Sequence, residues 1–111
     1  MATTLTQYDN VGVLTIREEL AGDNVEAFAA RARECLGQSR YHLVIDCSAV
    51  EGLDSAGLEA LLDIQDECER NLGGAKLCGL SEVCAKILEI TRLARRFETF
   101  EDLDAAVKSF E

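Results

Sequence analysis

The sequence predicts an α/β domain, with a mostly parallel central sheet of about five strands, an N-terminal antiparallel hairpin and about four helices. Three observations carry that expectation. Short apolar or alternating runs take turns with longer segments whose apolar residues recur every three or four positions, as strands joined by helical crossovers require. The run Leu43-Val44-Ile45 is continuously apolar, which suits a central strand covered on both faces. The first two strand-like segments are separated only by Asp9-Asn10, residue types that favour a hairpin turn.

Taken in order, residues 4–8 and Val11–Ile16 form the hairpin strands. Asp23 or Asn24 then offers a side-chain oxygen to the free N–H groups of a helix start. Val25, Phe28, Ala29, Ala32, Cys35 and Leu36 make one face of that helix, and Gly37 stops it. The third strand ends at Asp46. A second helix begins near Asp54-Ser55 and carries Leu58, Leu61, Leu62, Cys68 and Leu72 at helical spacing. Gly73-Gly74 is expected to close it with a left-handed cap. A strand at 75–78 follows, then a helix from Ser81 with Glu82 in its first turn and Val83, Ile87 and Ile90 inside. Phe97-Glu98-Thr99-Phe100 alternates as a strand, and Leu103, Ala106, Val107 and Phe110 mark a last helix. No linker, repeat or low-complexity segment interrupts this order, so residues 1–111 read as one domain.

The composition narrows the function. The chain has 111 residues, 48 % of them hydrophobic, enough for a single core without staples. Residues 1–9 lack the basic flank and apolar run of a signal peptide. No apolar stretch approaches the roughly 18 residues that would cross a bilayer, so a cytoplasmic location without membrane insertion is expected. A net charge of −10 would repel nucleic acid and anionic lipid at long range and favours a basic protein partner. Cys35, Cys47, Cys68, Cys78 and Cys84 are odd in number and include no C-x-x-C pair, and His42 is the only imidazole. They read as reduced, small apolar core residues, and no metal is expected.

The chemistry-bearing segment is Asp54-Ser55-Ala56-Gly57-Leu58, where the chain re-enters a helix beyond the end of the third strand. In open parallel sheets functional groups gather there. A helix N-terminus favours negative charge, so Ser55 is a place where a phosphate is tolerated, or else Asp54 or Ser55 is only a cap. Gly57 lacks a Cβ and would let a partner approach closely. A hydrolase reading fails, because the residue two before Ser55 is Leu53 and His42 precedes the serine by a strand. No Walker-A or G-x-G-x-x-G pattern occurs, so no enzyme and no cofactor are expected. Arg92, Arg95 and Arg96 read as a solvated face.

Leu43-Val44-Ile45-Asp46, followed by Val50-Glu51-Gly52-Leu53-Asp54-Ser55-Ala56-Gly57-Leu58, resembles the signature of the STAS domain, named for sulphate transporters and anti-sigma-factor antagonists. Glu19-Leu20, the Leu77–Ser81 stretch and Ile87-Leu88-Glu89-Ile90-Thr91 extend the likeness along the chain. The resemblance implies an anti-sigma factor antagonist whose serine, here Ser55, is phosphorylated by an anti-sigma factor serine kinase. The unphosphorylated form would sequester that kinase, and a metal-dependent serine phosphatase would remove the mark. Asp54 would help to place the serine, and Asp23, Asp54, Ala56, Gly57, Leu58 and Glu59 would face the partner. The alternative is a constitutive STAS scaffold in a lipid-transport ABC system or a stress-signalling assembly. Four departures from the family pattern stand out: Ala56 where Ser or Thr is usual, Glu59 for Gly, Glu18 for Gly and Ala21 for Asp.

Overall fold

The computed structural model describes residues 3–8 and 11–110. Four strands run parallel: β2 (Val11–Ile16), β3 (His42–Asp46), β4 (Gly74–Cys78) and β5 (Thr99–Phe100). β1 (Thr3–Tyr8) lies antiparallel to β2 at the sheet edge, giving the spatial order β1-β2-β3-β4-β5. The Asp9-Asn10 turn lies outside the described residues. Four α-helices complete the fold among the described residues: α1 (Asn24–Gly37), α2 (Ser55–Arg70), α3 (Glu82–Ile90) and α4 (Leu103–Lys108).

The alternation of side chains along each strand assigns two cores. Leu14 and Ile16 of β2, Leu43 and Ile45 of β3 and Leu77 of β4 pack with Phe28, Cys35, Leu61, Cys68 and Leu88 from α1, α2 and α3. Val11, Val13, Val44 and Cys78 point the other way and are covered by Ala106, with Leu103, Val107 and Phe110, at α4. Leu43, Val44 and Ile45 are all fully buried, which is why that run carries no polar residue. Lys76, opposite Val44 in the β3–β4 register, fixes the end of α4. Its Nζ lies 2.8 Å from Ser109 Oγ and 4.1 Å from the centre of the Phe110 ring.

The helix ends differ from expectation in physically informative ways. Asp23 precedes α1 in a helical conformation and makes no side-chain cap, while Asn24 uses its amide nitrogen to donate to the Glu19 carbonyl at 3.1 Å. Gly37 is the last residue of α1, and the left-handed position after it belongs to Ser39. After α2 the left-handed residue is Leu72, at φ 64° and almost wholly exposed, and neither Gly73 nor Gly74 supplies it. Gly73 answers a packing constraint instead: a Cβ there would lie 2.0 Å from the Tyr41 carbonyl oxygen. Ser81 caps α3 by accepting from Cys84 N at 3.1 Å.

At the far side of the sheet, β5 is two residues long, and Phe97 is buried in the core rather than alternating within a strand. Ala75 of β4 therefore lacks a strand partner on that side. The buried amide of Gln65 on α2 takes its place, donating to Ala75 O at 3.1 Å and accepting from Ala75 N at 2.7 Å. It donates to Arg96 O at 2.6 Å as well.

All five cysteines are buried and free. Burial raises the thiol pKa of Cys68 and of Cys78 to about 12, and pushes Cys35 and, further, Cys47 upward.

Candidate functional site

The site grows from two crossover connections lying side by side. The chain leaves β3 at Asp46, whose Oδ1 accepts from Ser48 N at 3.1 Å and from Ser48 Oγ at 2.8 Å, turning the backbone away from the strand. As it returns toward α2, Leu53 forms an isolated parallel bridge with Leu20, which lies between β2 and α1. Leu20 N donates to Gly52 O at 3.0 Å, and Asp54 N donates to Leu20 O at 3.4 Å.

Asp54 locks this arrangement. Its backbone is extended, and its Oδ1 accepts from Gly57 N at 2.9 Å, which caps α2. Its Oδ2 accepts from Gly22 N, 32 residues earlier in the chain, also at 2.9 Å. Both bonds favour the ionised form, the Gly22 bond most, so the carboxyl sits below the usual aspartate range.

With Asp54 serving as the cap, Ser55 is released from that role. It is the first residue of α2 and is exposed, and its hydroxyl has no hydrogen-bond partner among the described residues. A free hydroxyl at the positive end of a 16-residue helix is well placed to carry an anionic group.

The neighbouring residues divide by burial. Gly57 is buried, and what approaches it is Leu20 of the same chain: a Cβ on Gly57 would lie 2.2 Å from the Leu20 carbonyl oxygen. The expected close approach at Gly57 is therefore intramolecular. Leu58 is half-buried and packs on the core, whereas Ala56 and Glu59 are exposed. Asp23 is exposed one residue beyond Gly22, so the Asp54–Gly22 bond holds its loop against the start of α2.

Sequence reading missed three features. Leu20 and Gly22 act through backbone atoms, which leave no compositional signal. Val83 and Ile90, expected inside α3 with Ile87, are exposed instead, because the face of α3 that meets the core carries Cys84 and Leu88. Arg96 is not simply solvated, since its guanidinium bridges Asp66 at 2.6 Å and Glu69 at 3.1 Å. His42 begins β3, at the end of the strand away from Ser55, and packs edge-on against Phe110, so the serine has no imidazole beside it. Among the described residues, no group of three or more His, Cys, Asp or Glu side chains is arranged to hold a metal ion, and no helix is long and apolar enough to cross a membrane.

The strand order, the four helices and the capped serine after β3 define a small α/β domain built around one exposed helix start. The chain belongs to the STAS domain family, whose pattern matches residues 2–106. No curated protein matches it in sequence. Among solved structures it is similar to an anti-sigma factor antagonist from Mycobacterium paratuberculosis, at 25 % identity and a TM-score of 0.86, over 96 % of this chain and 91 % of that one. A Thermotoga maritima protein, itself a candidate anti-sigma factor antagonist, superposes with a TM-score of 0.91 at 22 % identity, over 96 % and 92 % of the two chains. The Bacillus cell fate determinant SpoIIAA in its phosphorylated form gives 0.78 at 19 % identity, over 99 % and 100 %. The last two likenesses establish the fold.

Proposed function

We propose that this STAS domain is an anti-sigma factor antagonist whose partner is an anti-sigma factor serine kinase, and that phosphorylation of Ser55 switches the complex off. The observation that carries the reading is the division of labour at α2: Asp54 caps the helix, and Ser55 is left exposed and unbonded. Phosphate at Ser55 adds about −1.5 to −2 charge at pH 7 to an already acidic chain. The helix start accommodates that charge, so the cost falls on the complex. Weakening the complex a hundredfold needs about 2.8 kcal/mol, a cost that desolvating the phosphate in an interface can supply. A metal-dependent serine phosphatase would reset the switch. Asp23, Ala56, Leu58 and Glu59 would border the kinase, with Asp54 and Gly57 holding the serine in place. The chain acts in this reading as a binding module in the cytoplasm, not as an enzyme.

Incubation with the cognate kinase and ATP should add one phosphate to the wild type and none to Ser55→Ala. The Ser55→Ala protein should hold the kinase whether or not ATP is present. Modification of Ser55→Ala to the wild-type extent would overturn the assignment.

A further inference from the structure

A groove of about 530 Å³ runs between α1 and α2. Its walls are apolar and low: Val25 and Ala29 come from α1, and Ala60 and Ile64 from α2. Small residues on both walls let another backbone come close. Along the α2 rim stand Glu59 and Asp63, four apart and exposed, with no ion-pair partner among the described residues. Like charges at this spacing weaken a helix, and Arg33, the cation on the α1 rim, makes no ion pair with either among the described residues. The other rim acids are neutralised within the chain, Glu67 by Arg70 and Asp66 by Arg96.

We propose that this groove seats an amphipathic helix of a partner protein, apolar along one stripe and edged with Lys or Arg. A ridge of side chains at i, i+3, i+4 and i+7 fits such a cleft between helices. The unpaired Glu59 and Asp63 select a basic edge, and the net charge of −10 steers a basic segment while repelling a second copy of this chain. From Ala56 to Arg70 the groove follows α2 for about 21 Å, so about 14 residues of partner helix fill it. The inference rests on the reading of the chain as a binding module; the groove shares Ala56 and Glu59 with the patch beside Ser55 but does not require Ser55 to be modified.

The test uses the full 15N-labelled chain and two designed helical peptides, each with a Leu/Ala stripe, one edged with Lys and the other with Glu. The Lys-edged peptide should shift amide signals of Val25, Ala29, Glu59, Ala60 and Asp63. Its affinity should fall at least tenfold in Asp63→Lys and in the Glu-edged peptide. Ala29→Leu, which fills the groove without changing charge, should weaken it as well. Absence of shifts, equal binding of both peptides, or shifts confined to α3 or to the Ser55 face would overturn the proposal. So would groove shifts that grow with protein concentration alone, which would make a second copy the occupant. Failure of a kinase to modify Ser55 would leave these shifts unchanged, so the two readings fail separately.

Discussion

Replacing Gly57 with Ala puts a methyl carbon where the chain already has a carbonyl. The new Cβ would lie 2.2 Å from Leu20 O, 3.2 Å from Leu20 C and 3.1 Å from Leu20 Cγ. The obstacle is backbone, held by the Leu20–Leu53 bridge and by Asp54, so it cannot rotate away as a side chain would. Overpacking costs about 1–3 kcal/mol, and a rigid backbone obstacle puts this case near the upper figure. Ala in place of Gly inside a helix returns about 1 kcal/mol. The expected net loss is about 2 kcal/mol, which for a domain of this size lowers Tm by about 8 °C. Gly52→Ala is the control, because its Cβ would meet only Glu19 Oε2 at 3.8 Å. Thermal unfolding followed by circular dichroism separates the two. If Gly57→Ala melted with the wild type, or if Gly52→Ala lost as much, the close packing of Leu20 against α2 would not be what demands glycine.

Four further outcomes are expected. Asp54 has a folded pKa below its ordinary value of 3.8, so its stabilising effect is complete above that value and is lost as pH falls through the lower folded pKa. The stability gap between wild type and Asp54→Ala should be constant from neutral pH to about 5 and close on further acidification; a gap that widened in acid would contradict the bonds to Gly22 and Gly57. The raised thiol pKa values predict the opposite limb: stability is complete below the ordinary thiol pKa of 9.0 and falls as pH climbs from there toward about 12. Native protein at pH 8 should react with Ellman's reagent only at its unfolding rate, releasing all five thiols in denaturant; a fast-reacting thiol would disprove the burial. Gln65→Leu leaves Ala75 N–H and the Ala75 and Arg96 carbonyls without their amide partner, and should cost about 3 kcal/mol in urea unfolding.

Much of the fold was legible because its signals are local. Leu43-Val44-Ile45 announced a two-sided strand, and the recurrence of Leu58, Leu61 and Cys68 announced the helix beside it. Asp54 as a cap was one of two options the sequence left open, and Ser81 marked the start of α3. What escaped depends on residues far apart in the chain. Gly73 advertised a left-handed cap, yet the reason for its lack of a side chain is Tyr41, on a different connection. Gln65 looked like one more polar helix residue until β5 proved too short to cover Ala75. Asp23 had the right residue type for a cap but the wrong backbone, because Gly22 turns the chain before the helix begins. At the site, the serine and its neighbours could be read from one pentapeptide, but the link from Asp54 to Gly22 spans 32 residues and belongs to tertiary structure alone.

A single carboxylate thus fastens two loops from different crossovers, one residue beyond the bridge that already joins them. The patch around Ser55 is consequently tied to both loops at once. Under the proposed switch, a phosphate on that hydroxyl would change the charge of a surface whose outline these bonds already hold. A partner reading such a mark would then do so as an electrometer does, by the charge it meets on a fixed template rather than by a loop that swings.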